Sequence, residues 1–175
     1  IDLASQQPPP AVGAAVVRWD GSRWLKVALP SALTKHGYLT SILAHDDRDV
    51  QIAGGIRTGA TLEPVLARWN GQRWSVARLP GSLRGYVVSA LTSDGQGGAW
   101  AAGICATCRG FKPAVVWHQS DGRWSAPLPN YAGTGAVALT LAQVGRTSSV
   151  LGVGLMKTHT RVDGMIALHG KLSSG

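Results

Sequence analysis

Arg18-Trp19-Asp20-Gly21-Ser22-Arg23-Trp24 returns as Arg68-Trp69-Asn70-Gly71-Gln72-Arg73-Trp74 and, two residues longer, as Val116-Trp117-His118-Gln119-Ser120-Asp121-Gly122-Arg123-Trp124. The second Trp of each copy stands at 24, 74 and 124, a spacing of 50 residues both times. A Leu-Pro step follows every copy, at Leu29-Pro30, Leu79-Pro80 and Leu128-Pro129. The pieces Val50-Gln51-Ile52-Ala53-Gly54, Ala99-Trp100-Ala101-Ala102-Gly103 and Val150-Leu151-Gly152-Val153-Gly154 recur 49 and 51 residues apart. A weaker version, Ala167-Leu168-His169-Gly170-Lys171, places Leu168 51 residues after Trp117. Repetition on this scale decides the architecture before any single strand is assigned.

Each unit holds four short apolar or alternating segments separated by Gly, Asn, Asp, Ser or Pro, the punctuation of antiparallel strands. In the unit that is easiest to read the strands fall near Val87 to Thr92, Ala99 to Ile104, Ala114 to His118 and Arg123 to Pro127. Asp20-Gly21 and Asn70-Gly71 read as two-residue hairpin turns, because both residue types accept positive backbone dihedrals. Four strands in about 50 residues, in tandem, is the spacing of β-propeller blades. The fold class is therefore all-β: a propeller segment of four-stranded antiparallel blades.

The series Trp-Asp/Asn-Gly-x-x-Trp, then Leu-Pro, then an apolar strand closing on a Trp-Ala-x-Gly-like step resembles the tryptophan-rich β-propeller repeats of secreted or surface bacterial proteins. Ser93-Asp94-Gly95-Gln96-Gly97-Gly98-Ala99-Trp100-Ala101-Ala102-Gly103 is also similar to propeller repeats in the sensory ectodomains of two-component regulators. The resemblance covers residues 14 to 172 and implies a fold, not a ligand, since such propellers serve unrelated tasks.

Blade boundaries follow from the strand count. An outer half-blade spans 14–29, complete blades span 39–79 and 87–128, and a partial blade spans 136–172. Residues 1–13 read as a Pro-rich linker, with Gln6-Gln7 and Pro8-Pro9-Pro10. About three blades fall short of the four to eight of a closed propeller. The remaining blades are expected from the same parent chain, which starts at Ile1 and reads as processed or truncated, or from a homodimer.

In a propeller the loops leaving the second and fourth strands of each blade share one face. They run from Pro30 to Tyr38, Gly54 to Glu63, Pro80 to Tyr86, Gly103 to Lys112, Pro129 to Gly135 and Gly154 to Asp163. They carry Lys35, His36, Tyr38, Arg57, Arg84, Tyr86, Arg109, Phe111, Lys112, Tyr131, Lys157, His159 and Arg161, cations mixed with rings that stack on sugars or neutralise anions. Tyr38 and Tyr86 also fit as repeat residues capping the inner strand. The recurring Trp pairs fit packing between blades better than sugar binding. Cys105 and Cys108, the two cysteines of the chain, lack the further ligands of a zinc site and the His of a haem attachment motif, and read as a disulfide staple of an oxidising compartment. Asp46, Asp47 and Asp49 read as turn residues in preference to a calcium site. No metal or cofactor is expected, and no nucleophile elbow, phosphate loop or carboxylate pair stands out.

The 17 Lys and Arg against 9 acids give a net charge of +8, which favours acidic partners. The basic residues are spread along the chain without a block, which disfavours nucleic acid. No apolar run reaches the length of a membrane span. These readings converge on a non-catalytic, extracellular or surface-exposed binding or assembly module contacting a protein or an anionic cell-wall or glycan polymer. A lectin-like propeller and a propeller-fold hydrolase or lyase are the alternatives.

Overall fold

The computed structural model describes residues 13–80, 83–109, 112–126, 136–157 and 162–169. The first sheet pairs β1 (Val16–Trp19) with β2 (Trp24–Val27). After a short helix, α1 (Ser31–His36), the second sheet runs β3 (Gly37–Ala44), β4 (Val50–Thr58), β5 (Thr61–Trp69) and β6 (Trp74–Arg78) in chain order. The third repeats this with β7 (Tyr86–Ser93), β8 (Ala99–Cys105), β9 (Val115–Ser120) and β10 (Arg123–Trp124). The fourth contains β11 (Ala136–Gln143), β12 (Val150–Lys157) and β13 (Val162–His169). Every pairing is antiparallel. The linker reading for 1–12, and the chain at 127–135 and 170–172, lie outside the described residues.

Register makes the repeat exact enough to superpose by position. The first strand of each four- or three-stranded sheet carries a bulge at the same place, between Leu39 and Ser41, Val88 and Ala90, and Ala138 and Thr140. Ile42, Leu91 and Leu141 therefore occupy one position, and Ala53, Ala102 and Val153 another. Side chains alternate across a strand, so one set of positions faces the preceding sheet and the other the following sheet.

Successive sheets pack face to face through these sets. Ala53 and Leu66 of the second sheet, with Leu79 just past its last strand, meet Val88, Leu91, Ala101 and Trp117 of the third. Leu141 packs on Ala90, Ala102 and Ala114. Ile52, Val65 and Ala67 on the opposite side of the second sheet bury against Leu33 of α1 and against Val16 and Leu29. Strands caught between two neighbours are apolar on both faces, which is why β4 and β5 read as runs and not as alternations. Polar contacts add register: the Leu91 amide donates to Ser41 Oγ (2.8 Å), the Gln143 amide to Thr92 Oγ1 (3.1 Å), and Thr40 Oγ1 to the Val88 carbonyl. Gln51 Nε2 donates to Gln119 Oε1 at 3.1 Å across the buried interface of the second and third sheets.

Three expectations change. Asp20-Gly21 and Asn70-Gly71 are not two-residue primed turns. The ladders close at Trp19 opposite Trp24 and Trp69 opposite Trp74, leaving four-residue loops in which only Gly21 (φ 105°) and Gly71 (φ 89°) enter positive φ. Asp20 Oδ1 accepts the amides of Ser22 and Arg23, and Asn70 Oδ1 those of Gln72 and Arg73, so the side chain builds the turn. The two-residue turn occurs instead at Asp121-Gly122, both at positive φ (50° and 73°), between Ser120 and Arg123.

The second change concerns Trp117. Matched by residue type it aligns with Trp19 and Trp69, yet register sets Gln119, opposite Trp124, where Trp69 stands opposite Trp74. Trp117 faces Ala101 where Ala67 faces Ile52, so a large-small pair is inverted. Its ring is fully buried, its Nε1 donates to the Pro80 carbonyl (3.1 Å), and it lies so close to Gly103 that a Cβ there would sit 2.6 Å from Cζ3. Third, the loops of the candidate face are shorter than expected. Lys35 and His36 end α1, Tyr38 lies in β3, and β4 and β5 leave a turn of only Gly59 and Ala60 between them.

Candidate functional site

Strand order puts Lys35, His36, Tyr38, Arg57, Arg84, Tyr86, Arg109, Lys112 and Lys157, the described members of the set singled out from the sequence, at one end of the sheets. β3, β5, β7 and β9 begin at this end, and β4, β6, β8 and β12 finish there. Gly85 at the start of β7 donates its amide to the Leu62 carbonyl at the start of β5 (2.6 Å), tying the second and third sheets together there. The opposite ends also meet: a Cβ on Gly95 would lie 2.5 Å from the Thr147 carbonyl oxygen.

Charge divides unequally between the two ends. The turn end bears Arg18, Arg23, Arg48, Arg68, Arg73, Arg123 and Arg146, and with them Asp20, Asp46, Asp47, Asp49, Asp94 and Asp121, so it is close to neutral. Arg68 makes a bidentate pair with Asp49 (2.8 and 3.0 Å), and Arg23 lies 3.7 Å from Asp20. Asp46, in the cluster read from the sequence, accepts the amides of Arg48 and Asp49 and so serves the turn. At the loop end, strand position places Lys35, Arg57, Arg78, Arg84, Arg109, Lys112 and Lys157 against Glu63 and Asp163 alone among the described residues. Most of the net positive charge therefore sits at that end.

Local structure fixes several of these groups. Lys35, His36, Tyr38, Arg84, Arg109 and Lys112 are exposed, while Arg57 and Tyr86 are half-buried. The Tyr86 hydroxyl donates to the Pro113 carbonyl at 3.0 Å, fastening the start of β7 to the segment before β9, and burial pushes its phenol above the ordinary value. Tyr38 is exposed (41%) and by register stands at the position of Val87, while Tyr86 stands at that of Gly37, so the two tyrosines do not occupy one place in the repeat. Cys105 and Cys108 are joined by a disulfide with Cα atoms 5.6 Å apart. The loop it closes aims the amides of Ala106 and Thr107 at the Gly85 carbonyl (2.7 and 3.1 Å), so Arg109 leaves from a fixed point. Phe111, Tyr131, His159 and Arg161 lie outside the described residues, and Lys157 is placed by its strand position only.

A second polar cluster, at the turn end, was not read from the sequence. Asp94 Oδ1 accepts the amides of Gln96 and Gly98 (both 2.8 Å), and its Oδ2 lies 3.0 Å from His118 Nε2. The His118 ring stacks on Trp100 with centroids 4.1 Å apart. Burial pushes the Asp94 carboxyl up, but the Gln96 amide, His118 and the Gly98 amide outweigh it and hold the group below the usual carboxylate range. His118 stands at the register position of Arg68, so both sheets anchor an aspartate of their first turn from the third strand. The signal available beforehand was Asp94-Gly95-x-Gly97-Gly98, a carboxylate followed by residues that free their amides for it.

Among the described residues there is no group of three or more His, Cys, Asp or Glu positioned to hold a metal ion, and no helix long and apolar enough to cross a membrane. No protein-family model, no curated protein and no solved structure matches the chain.

Proposed function

We propose that the four sheets are blades of a β-propeller and that the chain is a non-catalytic binding or assembly module of the oxidising space outside the cytoplasm. Its partner, a protein or polymer rich in negative charge, docks on the loop end. The observation that carries this reading is the segregation of charge by strand position, seven cations against two acids at one end and seven against six at the other among the described residues, with Lys26 inside β2 counted to neither. A charge spread only for solubility has no reason to concentrate at one end of every sheet. The Cys105–Cys108 disulfide supports the compartment.

The aromatic pairs favour this reading over a lectin with equivalent sites on each blade. Trp19 and Trp24 are exposed (50% and 66%), whereas Trp69 and Trp74 are half-buried, and the third pair is replaced by Gln119 and Trp124.

Immobilised heparin, used as a polyanion probe, tests the proposal with charge-matched variants. Arg84→Glu/Arg109→Glu/Lys112→Glu is expected to weaken retention by about tenfold or more at low salt, while Arg48→Glu/Arg73→Glu/Arg123→Glu changes it far less. Equal losses from the two triple variants mean that the chain binds by net charge alone and that the loop end is not a site.

A further inference from the structure

Positions that are equivalent by register differ in burial at both outer faces: on the fourth sheet Val153, at the place of the fully buried Ala53 and Ala102, is 42% exposed, and at the front the difference falls on Ile42. Leu91 is 7% exposed because it packs on the second sheet, and Leu141, half-buried, packs on the third. Ile42, at the same position in β3 and facing the first sheet, is 57% exposed. The reason is that the first sheet has two strands where the second has four. By register Trp19, Arg18 and Val17 of β1 match Trp69, Arg68 and Ala67 of β5, so β1 and β2 are third and fourth strands. The edge along which β5 pairs with β4 is, in β1, without a partner strand among the described residues.

We infer that this edge receives a two-stranded antiparallel hairpin with the pattern of the chain's own β3–β4, β7–β8 and β11–β12 pairs. Its second strand pairs with β1 in the register of β4 on β5, and its first strand covers Ile42. The occupant is specified by continuity with the interface already formed, in which Val16 of the first sheet and Leu29, just past its second strand, bury Ile52, Val65 and Ala67 of the second and stop short of Ile42. Three chemical requirements follow. The hairpin needs a small residue facing the second sheet where Ala53 and Ala102, both fully buried, stand in theirs. It needs a hydroxyl directed at the Ile42 amide, as Ser41 Oγ meets the amide of Leu91. It also needs unbroken backbone donors along its pairing edge, which a run of prolines does not supply. An unpaired edge beside exposed apolar side chains is the template on which strand addition works.

The test fuses a copy of residues 37–58 ahead of Ile1 in the full chain, so that residues 1–15 act as the tether, with a scrambled copy as control. Fifteen residues reach about 20 Å even at random-coil dimensions and further when extended, enough to present the hairpin at high effective concentration. The expected result is that amide exchange at Val16–Trp19 slows by about tenfold or more with the true hairpin and not with the scrambled one. Ile42→Asp, a change at an exposed position, should abolish that protection while leaving the unfused chain's thermal midpoint and its heparin retention unchanged. The inference is overturned if the true hairpin leaves those amides exchanging as before, or if the scrambled copy protects them equally. It is also overturned if light scattering shows that the unfused chain already protects them as a dimer, in which case a second copy is the occupant. Because heparin retention is read in parallel, failure here is distinguishable from failure of the loop-end site.

Discussion

The β5–β6 and β9–β10 hairpins look like one motif spelled twice, Trp-Asn-Gly-x-x-Trp and Trp-x-x-x-Asp-Gly-x-Trp, yet they are built differently. In the first, Asn70 folds its side chain back onto two amides and the Trp69 and Trp74 rings meet at 5.6 Å. In the second, two extra residues lengthen the ladder and Asp121-Gly122 turns it tightly in the left-handed region. A shift of two leaves every side chain on the same face of the sheet, so the indole that stood at the rim moves one step inward without disturbing the pattern. Trp117 becomes the largest fully buried side chain, and Gln119 inherits the rim position.

Truncation of the indoles breaks this comparison most directly. Trp117→Ala should cost about 3–5 kcal/mol, Trp69→Ala, half-buried, about 1–2, and Trp19→Ala, exposed, no more than about 0.5, measured by denaturant unfolding. Equal costs at 117 and 69 contradict the two-residue shift and restore the alignment by residue type.

The anchoring of Asp94 by His118 supplies a pH-dependent version of the same contrast. Asp94→Asn should destabilise the chain by about 1–3 kcal/mol at neutral pH. Because the folded-state pKa is depressed, the carboxylate's contribution is complete above the unfolded value near about 3.9 and fades as pH falls through the folded one. Wild type and variant should therefore converge in acid. A gap that persists undiminished to the lowest measurable pH assigns the cost to packing instead.

The turns give the smallest effects and the finest resolution. Asp20→Gly removes the acceptor of two amides and should cost about 1 kcal/mol, whereas Asp121→Gly relieves a positive φ and should be neutral or slightly stabilising. If both changes cost the same in thermal unfolding, the two hairpins share a turn type after all.

Much of the fold was legible because tandem repetition supplies independent copies of each strand. The strands near Val87 and Ala99 were placed to within a residue, and the disulfide followed from the spacing and isolation of Cys105 and Cys108. Turn geometry was not legible, since Asp-Gly and Asn-Gly suit both a primed turn and a side-chain-built loop, and only the ladder decides which forms. Helix α1 escaped because six residues are too few for a period, with Leu33 its only fully buried side chain. The anchoring of Asp94 depends on which residue of β9 stands opposite Trp100, and this was hidden by the shift around Trp117.

The Gln51–Gln119 contact has a consequence for how a chain of near-copies sorts itself during folding. At Gln51's position the third and fourth sheets carry Trp100 and Leu151, and at Gln119's the second and fourth carry Trp69 and His169. Only the second and third sheets bring two amides together. A mismatched docking buries an amide against a ring or an aliphatic chain and forfeits its hydrogen bond, a loss that collapsed intermediates of repeat proteins feel while sheets are still exchanging neighbours. One buried pair thus acts as an address label, steering otherwise interchangeable modules into a single order.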